Sequence, residues 1–206
     1  MRLYDFLPSG NGYKVRLTLG ALGIPFEYQE VDILRGESRT APFLEKNAFG
    51  QVPVLELDDG TYLRESTAIL FYLAEGTPLL PTDKLLRTRV LEWLAFEQTH
   101  VDGVISRARF RRMYPDAIAT RAEEFDAWHA EGREALRVLE LHLQTRSFLV
   151  DERFTIADIA LYAYTHLADQ GGFDLTPYAA LHRWFARIRE QPGHLPIDVT
   201  PTRSTA

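Results

Sequence analysis

Ser9 and Asn11, in the run Ser9-Gly10-Asn11-Gly12, place a hydroxyl and a carboxamide immediately ahead of a helical segment. Glu65 and Ser66 set a carboxylate and a hydroxyl at the start of another. A helix N-terminus carries unpaired backbone N–H groups and a partial positive charge, so such an end can receive an anion, for instance a substrate carboxylate. Ser and Asn are also ordinary helix caps, and each pair taken alone has that structural reading. Gly50-Gln51-Val52-Pro53 lies between them in the sequence and reads as a turn feeding a strand.

Other chemistry is thinned by what the chain lacks. It has no cysteine, which excludes a structural disulfide, a Cys-ligated metal and a protein thiol nucleophile. Any sulfur chemistry must therefore bring its sulfur with the substrate. The six histidines are scattered without metal-ligand spacing, so no metal is expected. His129 falls on an apolar helix face and reads as a core histidine with its hydrogen bond made. Arg107, Arg109, Arg111 and Arg112 form a basic cluster, but at 100° per residue they point several ways. With a formal charge of −6, that argues against nucleic-acid binding. Asp58-Asp59 with Gly60 is a hairpin turn, not an acid–base pair.

The elements that must position these residues follow from pattern and punctuation. The strand Arg2–Phe6 precedes the breaker run Leu7 to Gly12, then a helix over Tyr13–Leu22 ended by Gly23-Ile24-Pro25. A second strand, Phe26–Val31, and a short helix around Phe43–Asn47 come next. The strand after Pro53, the returning strand Thr61–Leu63 and a helix from Thr67 to about Glu75 complete the set. A βαβ unit followed by ββα is the thioredoxin-like arrangement, a mixed four-stranded sheet flanked by helices. Thr77-Pro78-Leu79-Leu80-Pro81 marks a boundary. The expected division is residues 1–78, a linker at 79–86, and an all-helical domain at 87–206.

In that second part Val90, Leu94, Val101, Ile105 and Ala108 predict one long helix over 85–113. Ile118, Ala122, Phe125, His129, Gly132, Leu136, Leu139 and Leu143 predict another over 116–144. Thr155-Ile156-Ala157-Asp158 is a capping box, read as a folding element. Thr176-Pro177 predicts the start of a last helix with Leu181, Trp184, Phe185 and Ile188 on its buried face. The Pro/Thr/Ser-rich tail beyond Gly193 is expected to be loosely ordered. At 46% apolar and 25% charged, without a membrane-length apolar run or a leader-like start, the chain reads as a soluble, cytoplasmic protein.

The Ser-Gly-Asn-Gly turn, the Gln-Val-Pro…Glu-Ser pair and the Thr-x-x-Asp box, in that order, resemble the glutathione transferase family from Met1 to about Gln191. The resemblance implies a cytosolic bacterial-type homodimer, engaged in detoxification, with its site between the domains. It implies a cis Val52–Pro53 bond, Val52 backbone pairing with the cysteinyl part of glutathione, and Glu65-Ser66 on the γ-glutamyl end. Arg39 or Gln51 would meet the glycyl carboxylate. In place of Pro, this chain has Ala48, and it lacks the His or Lys that usually holds the glycyl end. Matching Lys14-Val15-Arg16 to zeta-type members puts Ser9 on their catalytic serine. Matching Asn-Gly-x-Lys to nu-type members puts Asn11 on their asparagine, and the two stay equal candidates for the thiolate donor, ahead of Tyr4 and Tyr13.

Glutathione would be a substrate, not a bound cofactor. The implied reactions are conjugation to an electrophile, or reduction of a disulfide or peroxide. A glutathione-dependent isomerase or dehalogenase, or a non-catalytic relative that only binds, stand as alternatives. The energetics are modest. Lowering a thiol from about 8.5 by roughly two units needs about 2.7 kcal/mol. One hydrogen bond to a charged acceptor supplies about 1.5–3 kcal/mol, and a helix N-terminus up to ~1 more.

Overall fold

The computed structural model describes residues 1–116 and 122–201, and its contacts divide the chain into two units. One holds Met1–Glu75 together with the segment that begins at Gln191; the other is Gly76–Glu190.

In the first unit, β1 (Arg2–Asp5) leads into α1 (Gly10–Ala21), then β2 (Glu27–Glu30), the short α2 (Ala41–Lys46), β3 (Val54–Glu56), β4 (Tyr62–Leu63) and α3 (Ser66–Ala74). The sheet order is β2-β1-β3-β4, with β1 parallel to β2 and antiparallel to β3, and β3 antiparallel to β4. This is the expected mixed thioredoxin-like sheet. Side chains alternate across it. Tyr4 and Val54 join Val31 and Phe43 of α2 in one cluster, while Leu3 and Leu55, fully buried, point to the other face. α1 and α3 pack together. Each such leucine contributes about 1.5–3 kcal/mol by leaving water.

In the second unit, α4 (Lys84–Phe96) is capped by Asp83, whose Oδ1 accepts the Leu86 N–H at 2.9 Å. The predicted long helix is present but not uniform: Glu97–Ser106 is wound as a π-helix before α5 (Arg107–Met113). Val90, Leu94, Val101, Ile105 and Ala108 are all buried. α6 (Ala122–Leu143) presents Leu136, Leu139 and Leu143 to the core. Ile118 lies outside the described residues. Gly132 stands in that stripe because a Cβ there would lie 2.4 Å from the Phe173 ring. His129 makes its expected hydrogen bond, with Nε2 3.0 Å from the Gly171 carbonyl, and stacks on Phe173.

α7 (Ile156–Thr165) is buried on every side, the mark of a central helix. The capping box is formed: Asp158 Oδ2 accepts the Thr155 N–H at 3.0 Å, and Thr155 Oγ1 accepts from Ala157. Asp158 does more than cap, since its Oδ1 also takes the Leu149 N–H and the Trp184 Nε1–H, at 3.0 and 2.9 Å. Burial pushes this carboxyl up to about 6, against the pull of those donors.

Two expectations need correction. α8 runs Ala179–Arg189, starting after Pro177, because the Glu140 carboxylate on α6 accepts the N–H groups of Ala180 and Leu181. A distant side chain caps it where a local signal was read. The tail is the second case. Residues 191–201 belong to the first unit, where Arg16 Nη1 donates to the Ile197 carbonyl at 2.9 Å. That bond ties the segment to α1.

Candidate functional site

β1 ends at Asp5, and the chain turns through Leu7-Pro8-Ser9 into α1. Ser9 is the N-cap, extended at φ −70° and ψ 123°, with its Oγ accepting the Gly12 N–H at 3.3 Å. The helix therefore begins at Gly10, earlier than the sequence suggests, and Asn11 lies in its first turn. Gly12 is glycine for space: a Cβ would stand 1.5 Å from Asp5 Oδ1.

Asn11 Oδ1 accepts from Lys14 Nζ at 2.7 Å and from Ser66 Oγ at 3.1 Å. An ammonium only donates, so the atom facing it must be the amide oxygen. The Asn11 Nδ2 donor is thereby turned the opposite way. Ser66 is the buried first residue of α3, and its bond to Asn11 joins the N-termini of the two helices. Glu65, just before it, is exposed and sits at φ 64° and ψ 110°. For a non-glycine residue that backbone costs about 1–3 kcal/mol, strain of a kind that gathers at functional sites.

Gln51, Val52 and Pro53 lie on the loop after α2, and Arg39, just ahead of α2, reaches across to that loop. The Val52–Pro53 bond is cis, as the resemblance implies, with Pro53 buried and Val52 half-buried. Arg39 Nη1 donates to the Phe49 carbonyl at 2.9 Å, and Asn47 Nδ2 to the Gln51 carbonyl at 2.8 Å. Gly50, at φ 60°, leaves no room for a side chain: its Cβ would be 2.8 Å from both Arg39 Nη1 and the Ser38 carbonyl. Arg39 thus braces the loop while remaining exposed, and the Gln51 side chain is exposed as well.

Sequence reading missed three residues here. Lys14 is buried on α1, and its i, i+3 spacing from Asn11 was the available signal. Asp5 and Arg16 form a buried ion pair, Nε to Oδ2 at 3.0 Å. Burial pushes the Asp5 carboxyl up to about 7, while the Arg16 guanidinium pulls it down. In the helical unit, Arg109 is buried and donates from Nε to Gln170 Oε1 at 2.7 Å; burial lowers its proton affinity. Arg107 and Arg112 are exposed. Among the described residues no cluster of His, Asp or Glu is placed to hold a metal ion.

Comparison with known proteins covers both units. Residues 8–75 match the glutathione S-transferase N-terminal domain family, and residues 101–192 its C-terminal domain family. A glutathione S-transferase crystal structure from Pseudomonas fluorescens is 48% identical, covers 95% of this chain and 98% of its own, and superposes with a TM-score of 0.91. A glutathione transferase from Pseudomonas putida, solved with one glutathione disulfide bound per subunit, is 26% identical over 93% of this chain and 87% of its own, with a TM-score of 0.81. The disulfide-bond oxidoreductase YfcG of Escherichia coli is 29% identical over 91% of this chain and 90% of its own. The chain spans only 36% of the length of elongation factor 1-gamma-B from Xenopus laevis, to which it is 33% identical over 160 residues. Both halves match in order, and the chain belongs to the glutathione S-transferase family.

Proposed function

We propose that this protein is an enzyme that binds glutathione and activates its thiol, either for conjugation to an electrophile or for reduction of a disulfide or peroxide. The observation that carries the reading is the shared acceptor at Asn11, whose oxygen is held by both Lys14 and Ser66. That contact sets a donor at the start of α1 beside the N-terminus of α3, where a γ-glutamyl carboxylate would be received. In this reading the backbone of Val52 pairs with the cysteinyl part, Glu65 and Ser66 hold the γ-glutamyl end, and the sulfur lies against Ser9 or Asn11.

Asn11 is the favoured donor, because its amide is oriented by two partners before any ligand arrives, and preorganised donors cost nothing to align. Ser9 Oγ accepts one N–H and keeps its own proton to give. Arg39, through guanidinium N–H groups beyond Nη1, or Gln51, whose side chain is exposed, would meet the glycyl carboxylate. Likeness to a disulfide-bond oxidoreductase supports the reductive option. Without a protein cysteine, both sulfurs would come from two glutathione molecules. A homodimer is part of the reading, supported by the exposure of Phe49 (71%), Tyr72 (52%) and Leu85 (62%), apolar surface that association would cover. Cytoplasmic residence and a role in detoxification follow the family. No described helix is long and apolar enough to cross a membrane.

A second reading, a glutathione transferase-like binding module, is favoured by the elongation factor 1-gamma relatives, of which this chain spans less than half. Retention on immobilised glutathione with elution by free glutathione tests the shared part. Turnover of an aryl halide, a mixed disulfide and a hydroperoxide then separates enzyme from module. Turnover lost in Asn11→Ala or Ser9→Ala supports the enzyme; retention without turnover supports the module.

A further inference from the structure

Arg16 is 1% exposed, and its guanidinium meets three segments of the first unit. Nε faces Asp5 Oδ2 at 3.0 Å, at the end of β1. Nη2 donates to the Leu7 carbonyl at 2.6 Å, in the turn two residues ahead of Ser9. Nη1 donates to the Ile197 carbonyl at 2.9 Å, in the tail. A planar fork with several fixed donors serves such a set; a single ammonium does not. The tail is seated by more than this bond. Gly193 lies so close to α1 that a Cβ on Gly20 would stand 2.4 Å from its carbonyl oxygen, and the Tyr13 hydroxyl is 3.4 Å from His194 Nε2.

We propose that Arg16 is a positioning residue for Ser9 and Asn11, and that the C-terminal segment 191–201 is part of the brace through which it acts. The turn is held from both sides: Arg16 fixes the Leu7 carbonyl, and the Ser9 N–H donates to the Phe6 carbonyl at 2.7 Å. Gly12 brings the first turn of α1 against Asp5, so the carboxylate that orients Arg16 also sets the height of the turn that carries Asn11. Displacing the fork frees the Leu7 carbonyl, and the Ser9 cap moves with it. The inference rests on the glutathione reading for its catalytic consequence, but not for the positioning itself.

Arg16→Lys separates fork from charge, since lysine keeps a cation beside Asp5 and cannot reach both carbonyls. A chain ending at Leu195 removes the stretch that carries the Ile197 acceptor while keeping Gly193 and His194, and serves if the substitution does not fold. The thiolate of bound glutathione is titrated by its ultraviolet absorbance, and amide exchange of Ser9, Gly12 and Tyr13 is followed without ligand. Expected is a thiol pKa raised by about one unit, a roughly tenfold loss of thiolate at neutral pH, with glutathione affinity within about threefold. Exchange at the three amides accelerates more than in the helical unit. An unchanged thiol pKa in a folded Arg16→Lys protein that binds glutathione overturns the proposal. If the unsubstituted protein binds no glutathione, the functional reading fails instead, and exchange alone decides the positioning: unchanged protection overturns it.

Discussion

The carboxamide of Asn11 has a single orientation because Lys14 can only donate. That makes Lys14 a test of directed hydrogen bonding at the residue scale. Lys14→Met removes the partner while keeping the buried stem, and is expected to raise the pKa of the bound thiol by about one unit, read by ultraviolet titration. Asn11→Ala is expected to lower kcat/KM by about tenfold to a hundredfold, the loss of a charge-assisted bond of about 1.5–3 kcal/mol. Asp158 supplies a pH test away from the site. Its carboxyl is raised to about 6 in the fold, so the native state holds a proton that the unfolded chain, titrating near 3.9, has released. Stability from this group is therefore greatest below pH 4 and is lost as pH rises through 6. Between pH 5 and 8 the loss is on the order of 1 kcal/mol, and the stability of Asp158→Asn, read by urea unfolding, should fall less steeply with pH over that range. Ser9, Asn11, Glu65 and Ser66 were legible as helix-start residues, because such starts announce themselves locally. Lys14, Asp5 and Arg16 were not, since a charged residue in a strand or helix reads as solvated until its burial is seen.

At the scale of elements, local chemistry wrote the strands, the Asp58-Asp59-Gly60 hairpin and the Thr155–Asp158 box into the sequence, and all of them form. The misjudged boundaries have long-range causes. α8 begins where Glu140 of α6 reaches its first N–H groups, and no window around Pro177 contains that residue. The tail docks because Gly20 and Gly193 let two backbones meet, a complementarity split between the two ends of the chain. The π-wound stretch Glu97–Ser106 keeps Val101, Val104 and Ile105 buried, and apolar spacing alone does not distinguish it from an α-helix. Glu140→Ala should cost about 1–2 kcal/mol in chemical denaturation, the size of a lost cap. Gly20→Ala should cost more, above about 2 kcal/mol, because the obstructing atom is backbone and cannot rotate away.

Taken whole, the molecule has a thioredoxin-like sheet in one unit and a helical body in the other, and each matches its glutathione S-transferase domain family. Exposed Phe49, Tyr72 and Leu85 lead to an expected dimer in sedimentation equilibrium at micromolar concentration, weakened by Phe49→Ser. In the helical unit Arg109 is engaged with Gln170, while Arg107 and Arg112 face solvent. The most direct test of the whole account is a crystal structure with glutathione bound. It should show the cysteinyl backbone paired with Val52, the γ-glutamyl carboxylate at the N-terminus of α3, and the sulfur within hydrogen-bond distance of Asn11 Nδ2 or Ser9 Oγ. A tripeptide bound elsewhere, or a sulfur turned away from both residues, would contradict it.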